Sequence, residues 1–178
     1  MLRQLLYHFQ EMRFNGVFLV NSLFTIANSS KAMKTIENIA LRMLNIFPLK
    51  IGVAKLDYDL FSKYKHISQM LEDDPLNSHV EATANSILQL QSLVDDLPEQ
   101  HYDKMMTPPI VIIQGGEDRF KSPRQAVNFY EQIQTQDKQF WLYEHMGYAW
   151  NLEKEYKHIE KRMVYWLDSH LTADQGSK

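Results

Sequence analysis

Cysteine is missing from this chain of 178 residues, and neither sign of charge is in large excess. The absence of cysteine excludes a disulfide framework and thiolate chemistry. Lysine and arginine number 19 against 22 acidic residues, and the net charge of −3 argues against a nucleic-acid binder. What is present is 44% apolar residues, which indicates one globular domain with a hydrophobic core.

Long hydrophobic runs are missing as well. The longest apolar stretch extends from Val17 to Ala27 and is interrupted by Asn21 and Ser22. It is shorter than the ~20 residues needed to span a bilayer, and it lacks the small-residue cleavage site of a signal peptide. We therefore expect a protein that is not transmembrane and is intracellular, with its compartment left open.

Clusters of metal-ligating residues are also absent from the sequence pattern. The seven histidines are scattered, with none of the spacings typical of a metal site. Glu117 and Asp118 are adjacent, so at a strand end they point apart and do not form a glycosidase-type carboxylate pair. We expect neither a metal nor another cofactor.

Short apolar, β-branched runs predict three buried strands, Gly16 to Val20, Pro109 to Ile113 and Gln139 to Tyr143. Apolar residues at steps of three and four predict helices over residues 2–12, 32–47, 80–94, 123–133 and 153–170. The last part of the chain alternates strand and helix, which is typical of a parallel sheet with right-handed crossovers. The fold class is therefore α/β, with a helical insertion after the first strand.

Asp118 follows the second strand directly after the turn formed by Gly115 and Gly116. A parallel strand that ends in this way delivers an acid to the carboxyl edge of the sheet, where open α/β folds hold their ligands. Asp118 could therefore orient a catalytic base. Equally, an acid after a strand often bonds loop amides or caps the next helix, which is a purely structural role.

Between residues 14 and 171 the chain resembles the carboxyl-terminal part of monoacylglycerol-lipase-like α/β-hydrolases, also described as the serine aminopeptidase S33 or hydrolase-4 type. The blocks that carry the likeness are residues 14–20 (FNGVFLV), 74–76 (DPL), 114–119 (QGGEDR), 136–138 (QDK) and 141–144 (WLYE). The resemblance covers nearly all of this chain but only the later half of a family member. It implies a partial α/β-hydrolase fold with a parallel half-sheet of about three strands and a helical cap.

The resemblance also implies domain boundaries. Residues 1–23 would begin the hydrolase core, residues 24–104 would form the helical cap (lid) insertion, and residues 105–172 would form the carboxyl-terminal core. Residues 173–178 are predicted to be a disordered tail. In the family, an acyl chain lies under the cap, so an acyl or lipid ligand is an inherited possibility here.

Two parts of the family's catalytic triad are not found in the sequence. None of the eleven serines stands in the Gly-x-Ser-x-Gly motif that carries the nucleophile. The position of the catalytic histidine is occupied by Tyr148, which leaves Asp118 as a vestigial triad acid. His145 lies three residues earlier on the same loop, and we interpret it as an ordinary loop histidine rather than a substitute base.

Three functions remain in competition. The first is a degenerate, non-catalytic hydrolase kept as a structural or interaction subunit, which we favour because a tyrosine phenol with a pKa of ~10 is a poor base at neutral pH. The alternative is part of a serine hydrolase that cleaves acylglycerol-type or other carboxylic esters, with the nucleophile half missing or supplied by another chain. The third is a module that binds an acyl or sterol-like ligand.

The first strand also predicts a protein partner. In the full fold its neighbour is the strand that carries the nucleophile, so residues 16–20 would form an unpaired apolar edge and one face of the half-sheet would be badly covered. Such edges and patches mark interfaces or aggregation sites. We expect a partner to cover the sheet edge near Gly16 to Val20.

Overall fold

The computed structural model describes residues 14–22, 39, 52–54, 57–77, 82–95, 108–120 and 122–175. The strands within these residues are β1 (Val17–Val20), β2 (Gly52–Ala54), β3 (Ala82–Thr83), β4 (Ile110–Gly115) and β5 (Lys138–Tyr143). The helices are α1 (Lys65–Asp73), α2 (Ala84–Asp95), α3 (Pro123–Gln132) and α4 (Tyr156–Gln175). Two 3₁₀ turns add Tyr58–Leu60 and Trp150–Leu152.

The main sheet has three parallel strands in the order β1-β4-β5. Val17 pairs with Ile110 at one end of the β1–β4 ladder, and Gly115 pairs with Tyr143 at the far end of the β4–β5 ladder. All six residues of β4 are buried, as expected for a continuous β-branched run in the middle of a parallel sheet. The α/β class and the three-stranded parallel half-sheet predicted from the sequence are therefore confirmed.

The two faces of this sheet are covered by different helices. On one face Ala126, Phe129 and neighbouring Ile133 pack against Ile110 and Ile112. On the other face Ile159 and Trp166 of α4 pack with Val111, Ile113 and Trp141. The expectation of a badly covered face is therefore wrong for the described part of the chain, because alternate residues of β4 pack against a helix on each face of the sheet.

The segment between β1 and β4 is less purely helical than predicted. It contains the antiparallel pair of β2 and β3, with Gly52 opposite Thr83, as well as α1 and α2. The predicted helix over residues 80–94 begins only at Ala84, after the short strand. The predicted helix over residues 2–12, and most of the one over residues 32–47, lie outside the described residues.

The terminal helix is longer than the sequence indicated. It extends from Tyr156 to Gln175 instead of ending at His170, so residues 173–175 are helical rather than part of a disordered tail. The predicted start of α3 at Ser122 and Pro123 is confirmed, since proline fits the first helical position. No helix among the described residues is long and apolar enough to cross a membrane.

Candidate functional site

Asp118 lies just beyond the carboxyl end of β4, on residues 116–120, which we call the acid loop. Its side chain is buried, with 8% of the residue exposed. The carboxylate accepts a hydrogen bond of 2.8 Å from the Phe120 backbone N–H and one of 3.4 Å from Nε2 of the buried Gln114. A buried carboxylate requires donors of this kind, and these two bonds supply them.

Tyr148 lies on residues 144–149, which follow β5 and which we call the exit loop. Its ring is half-buried and packs at 5.4 Å between centroids from Phe61 and at 4.9 Å from Phe120. Burial raises the pKa of the phenol, and the negative charge of Asp118 raises it further. Tyr148 therefore stays protonated at neutral pH and lies within the electrostatic reach of the acid.

Asn21 connects the ends of the strands with the exit loop. It follows β1 with a φ of 40°, a left-handed conformation that asparagine tolerates better than most residues. Its Oδ1 accepts a hydrogen bond of 2.9 Å from the Gly115 N–H, and its Nδ2 donates to the carbonyls of Gly147 and Tyr148. One buried amide thus fixes β1, β4 and the exit loop relative to one another.

A charged network lies on the exposed side of the acid loop. Nζ of Lys63 donates to Oε2 of Glu117 at 3.2 Å and also to the carbonyl of His145. Nδ1 of His145 lies 3.3 Å from Oε1 of the same Glu117. The hydrogen bonds from His145 and Lys63 hold the pKa of the Glu117 carboxyl below its usual value.

Glu153 is buried beneath the exit loop, with 1% of the residue exposed. Its Oε1 accepts a hydrogen bond of 3.2 Å from the Gly147 N–H, while its Oε2 makes no hydrogen bond to the described residues. Burial raises the pKa of this carboxyl. An unpaired oxygen in such a place favours the protonated acid, since a buried charge without partners is costly.

The chemistry available at this edge of the sheet depends on which of its side chains could act as a base. His145 directs its imidazole to Glu117, and its side chain is 77% exposed. Asp118 instead interacts electrostatically with Tyr148, whose raised pKa keeps the phenol protonated, so that no phenolate is available to accept a proton at neutral pH. No group of three or more His, Asp or Glu side chains suited to a metal ion occurs within the described ranges.

The structure brings the two predicted site residues, Asp118 and Tyr148, to the same edge of the sheet. Sequence reasoning missed Asn21, Lys63 and Glu153 as parts of this site. A polar residue directly after a buried strand could have indicated Asn21. Lys63 and Glu153 are separated from their partners by loops, and no local spacing marks them.

The comparison of the sequence with protein families gives one match. The family described as serine aminopeptidase, S33 matches residues 2–155. Among curated proteins, the monoglyceride lipase of Rattus norvegicus is 26% identical over 168 residues, which is 93% of this chain and 54% of that protein. The chain thus spans about half the length of this relative.

Solved structures show the same fold. A soluble variant of monoglyceride lipase from Saccharomyces cerevisiae, in complex with a substrate analogue, superposes with a TM-score of 0.74 at 18% identity, over 95% of this chain and 57% of that one. The monoacylglycerol lipase of Paleococcus ferrophilus superposes with a TM-score of 0.67 at 14% identity, over 90% and 61% of the two chains. This protein has an α/β-hydrolase fold that is partial relative to these proteins, and it belongs to the serine aminopeptidase S33 family.

Proposed function

We propose that this chain is a degenerate, non-catalytic α/β-hydrolase that acts as a structural or interaction subunit. The observation that carries the proposal is Tyr148, which stands at the position the family gives to its catalytic histidine. Its half-buried phenol has a raised pKa and packs against Phe61 and Phe120. A side chain held in this way contributes packing and does not relay protons.

The chemical requirements of acyl transfer through serine explain why Tyr148 carries the proposal. Acyl transfer through serine needs a nucleophile, a base that takes its proton, and a group that orients the base. Asp118 supplies only the orienting group, and an orienting acid without an imidazole does not activate a hydroxyl. His145 does not fill the gap, because its imidazole bonds to the exposed Glu117.

The alternative is part of a serine hydrolase for acylglycerol-type or other carboxylic esters, with the nucleophile supplied by another chain. One observation favours it: Asp118 remains buried at the carboxyl edge, with its carboxylate held by Gln114 and the Phe120 amide. The rat relative bears the name monoglyceride lipase, which supplies the substrate class for this alternative.

A reconstitution experiment separates the two proposals. The chain and its Tyr148→His variant are each mixed with a polypeptide comprising the part of the rat relative that precedes the matched region, and hydrolysis of a short-acyl ester is measured. The rat protein divided at the same point serves as the positive control, and Tyr148→His combined with Asp118→Asn serves as the negative one. We expect hydrolysis only from Tyr148→His with the added half, and hydrolysis by the unaltered chain would defeat the proposal.

A subunit role also needs a binding surface, and β1 offers one. It pairs with β4 on one side and with no described strand on the other. An open edge of this kind is a template for another strand. We therefore propose that the partner binds at the edge formed by residues 16–20, and that it does so through a strand of its own.

A further inference from the structure

We infer that residues 57–64, which we call the latch, fasten the segment between β1 and β4 onto the exit loop and keep Asp118 sealed from solvent. The latch contains the 3₁₀ turn Tyr58–Leu60 and leads into α1. This inference goes beyond the proposed function, because a latch of this kind would operate in a catalytic or a non-catalytic chain. In this inference Tyr148 holds the latch in place by packing and has no role in proton transfer.

The apolar half of the latch is a set of three mutually packed rings. Phe61 contributes one ring from the latch, Phe120 one from the acid loop and Tyr148 one from the exit loop. The centroid distances are 4.9 Å between Phe61 and Phe120, 5.4 Å between Phe61 and Tyr148, and 4.9 Å between Phe120 and Tyr148. Both contacts of Phe61 are edge-to-face, at 80° and 81°, and the contact of Phe120 with Tyr148 is tilted at 52°. Aromatic pairs at these distances are favourable beyond the area they bury, so each ring holds the other two.

The backbone adds a second, independent contact. The Ala149 N–H donates a hydrogen bond of 2.9 Å to the Phe61 carbonyl, which joins the latch directly to the exit loop. A Cβ on Gly147 would lie 3.4 Å from that same carbonyl and 3.7 Å from Cα of Ser62. The two backbones therefore run closely side by side, and Ser62 is buried at 4% exposure between them.

The polar half of the latch is Lys63. Its ammonium bonds to Glu117 of the acid loop and to the His145 carbonyl of the exit loop. One latch residue thus joins both loops by polar contacts, while the three rings, of which Phe120 is 37% exposed, join them by apolar contacts. Asp118 belongs to the acid loop and is only 8% exposed, which is what a closed latch requires.

Hydrogen exchange of the chain tests the latch. We expect Tyr148→Ala to raise the exchange of residues 57–64 and of the Ala149 amide by at least about tenfold, because two ring contacts are lost. Tyr148→Phe keeps the ring and should raise exchange by much less than Tyr148→Ala does. Tyr165→Ala removes a tyrosine that is 77% exposed on α4 and is the matched control.

The β4 amides in the same samples report global unfolding. Opening of the latch with unchanged protection of β4 supports the inference. Wild-type protection of residues 57–64 in Tyr148→Ala would overturn it, and so would equal loss of protection in the latch and in β4, which would show that the latch does not open by itself.

A second measurement uses the absence of cysteine from the chain. Ser62→Cys places a single thiol in the buried part of the latch, and its rate of reaction with a thiol reagent reports opening. We expect Lys63→Met to accelerate labelling and Lys161→Met, a change on the exposed surface of α4, to leave it unchanged. Rapid labelling of Ser62→Cys in the otherwise unaltered chain would contradict a closed latch.

Discussion

We interpret position 148, which holds a phenol, as the position of the family's catalytic imidazole, and at the residue scale these two rings differ most in how they titrate. An imidazole has a pKa of ~6.5 and exchanges a proton near neutrality. Burial and the charge of Asp118 instead raise the pKa of Tyr148 above its usual value of 10.0. The same side chain packs against Phe61 and Phe120, so a base is absent while an apolar contact is gained.

Glu153 makes the stability of this edge dependent on pH. Burial raises its pKa in the folded chain above the usual value of 4.5, so the folded state holds its proton more tightly than the unfolded state. The contribution of Glu153 to the free energy of unfolding is therefore constant below pH 4.5 and falls as pH rises toward the raised pKa. We expect Glu153→Gln to remove this fall, so that the variant gains stability relative to wild type as pH rises from 4.5 to the raised pKa of Glu153.

Urea unfolding of both chains at several pH values measures this difference. Glu160→Gln, at an exposed position on α4, is the matched control and should follow the wild-type profile. A difference between Glu153→Gln and wild type that does not change with pH would show that Glu153 is not a buried acid of raised pKa.

At the element scale, the sequence predicted the elements with strong periodic patterns. The β-branched runs of β1 and β4 gave the parallel sheet, and proline at the start of α3 gave its first residue. Helix α1 was missed because its buried residues are Ile67 and Ser68, too few to form an apolar stripe. The β2–β3 pair was missed because strands of three and two residues carry too little pattern.

The site was predictable only where it lies close to a strand end. Asp118 was placed by the Gly-Gly turn after β4, and Tyr148 by the resemblance around the end of β5. The contact of Lys63 with Glu117 joins residues 54 apart in sequence, and the bond from Asn21 to the Gly147 carbonyl joins residues 126 apart. Contacts over such separations depend on how the elements pack, which a single sequence does not encode locally.

The junction of β4 with the exit loop leaves no room for a side chain at Gly115. A Cβ there would lie 2.4 Å from the Met146 carbonyl oxygen and 2.7 Å from that of Gly147, both of them backbone atoms. Because the two strand ends would have to separate, we expect Gly115→Ala to lower the free energy of unfolding by at least about 2 kcal/mol. Urea unfolding measures this value.

Gly16→Ala is the matched comparison for this close approach. Its added Cβ would meet the ring of Trp166 at 2.6 Å, and a side chain can shift where a backbone cannot. We expect Gly16→Ala to be the less destabilising of the two substitutions. If Gly16→Ala were the more destabilising substitution, the junction of β4 with the exit loop would not be the tightest approach around the sheet.

At the scale of the whole molecule, the three-stranded sheet is covered on its faces, while each of its edge strands, β1 and β5, has no described strand on its outer side. Helices α3 and α4 bury the two faces. The surface on which the sequence predicts a protein partner is therefore limited to the backbone of β1. The Val17 and Asn21 N–H groups both donate to the β4 side. Because backbone groups alternate along a strand, the N–H of Val20 points to the open side.

This geometry predicts that the isolated chain associates through β1. We expect sedimentation velocity to show assemblies that grow with concentration, since an unpaired edge recruits other strands. Val20→Pro removes the outward N–H at a position where an edge strand accepts proline, and it should reduce association, whereas Val20→Ala should not. A monodisperse wild-type monomer that binds no hydrophobic dye would show that the edge of residues 16–20 needs no partner, and the subunit proposal would lose its binding surface.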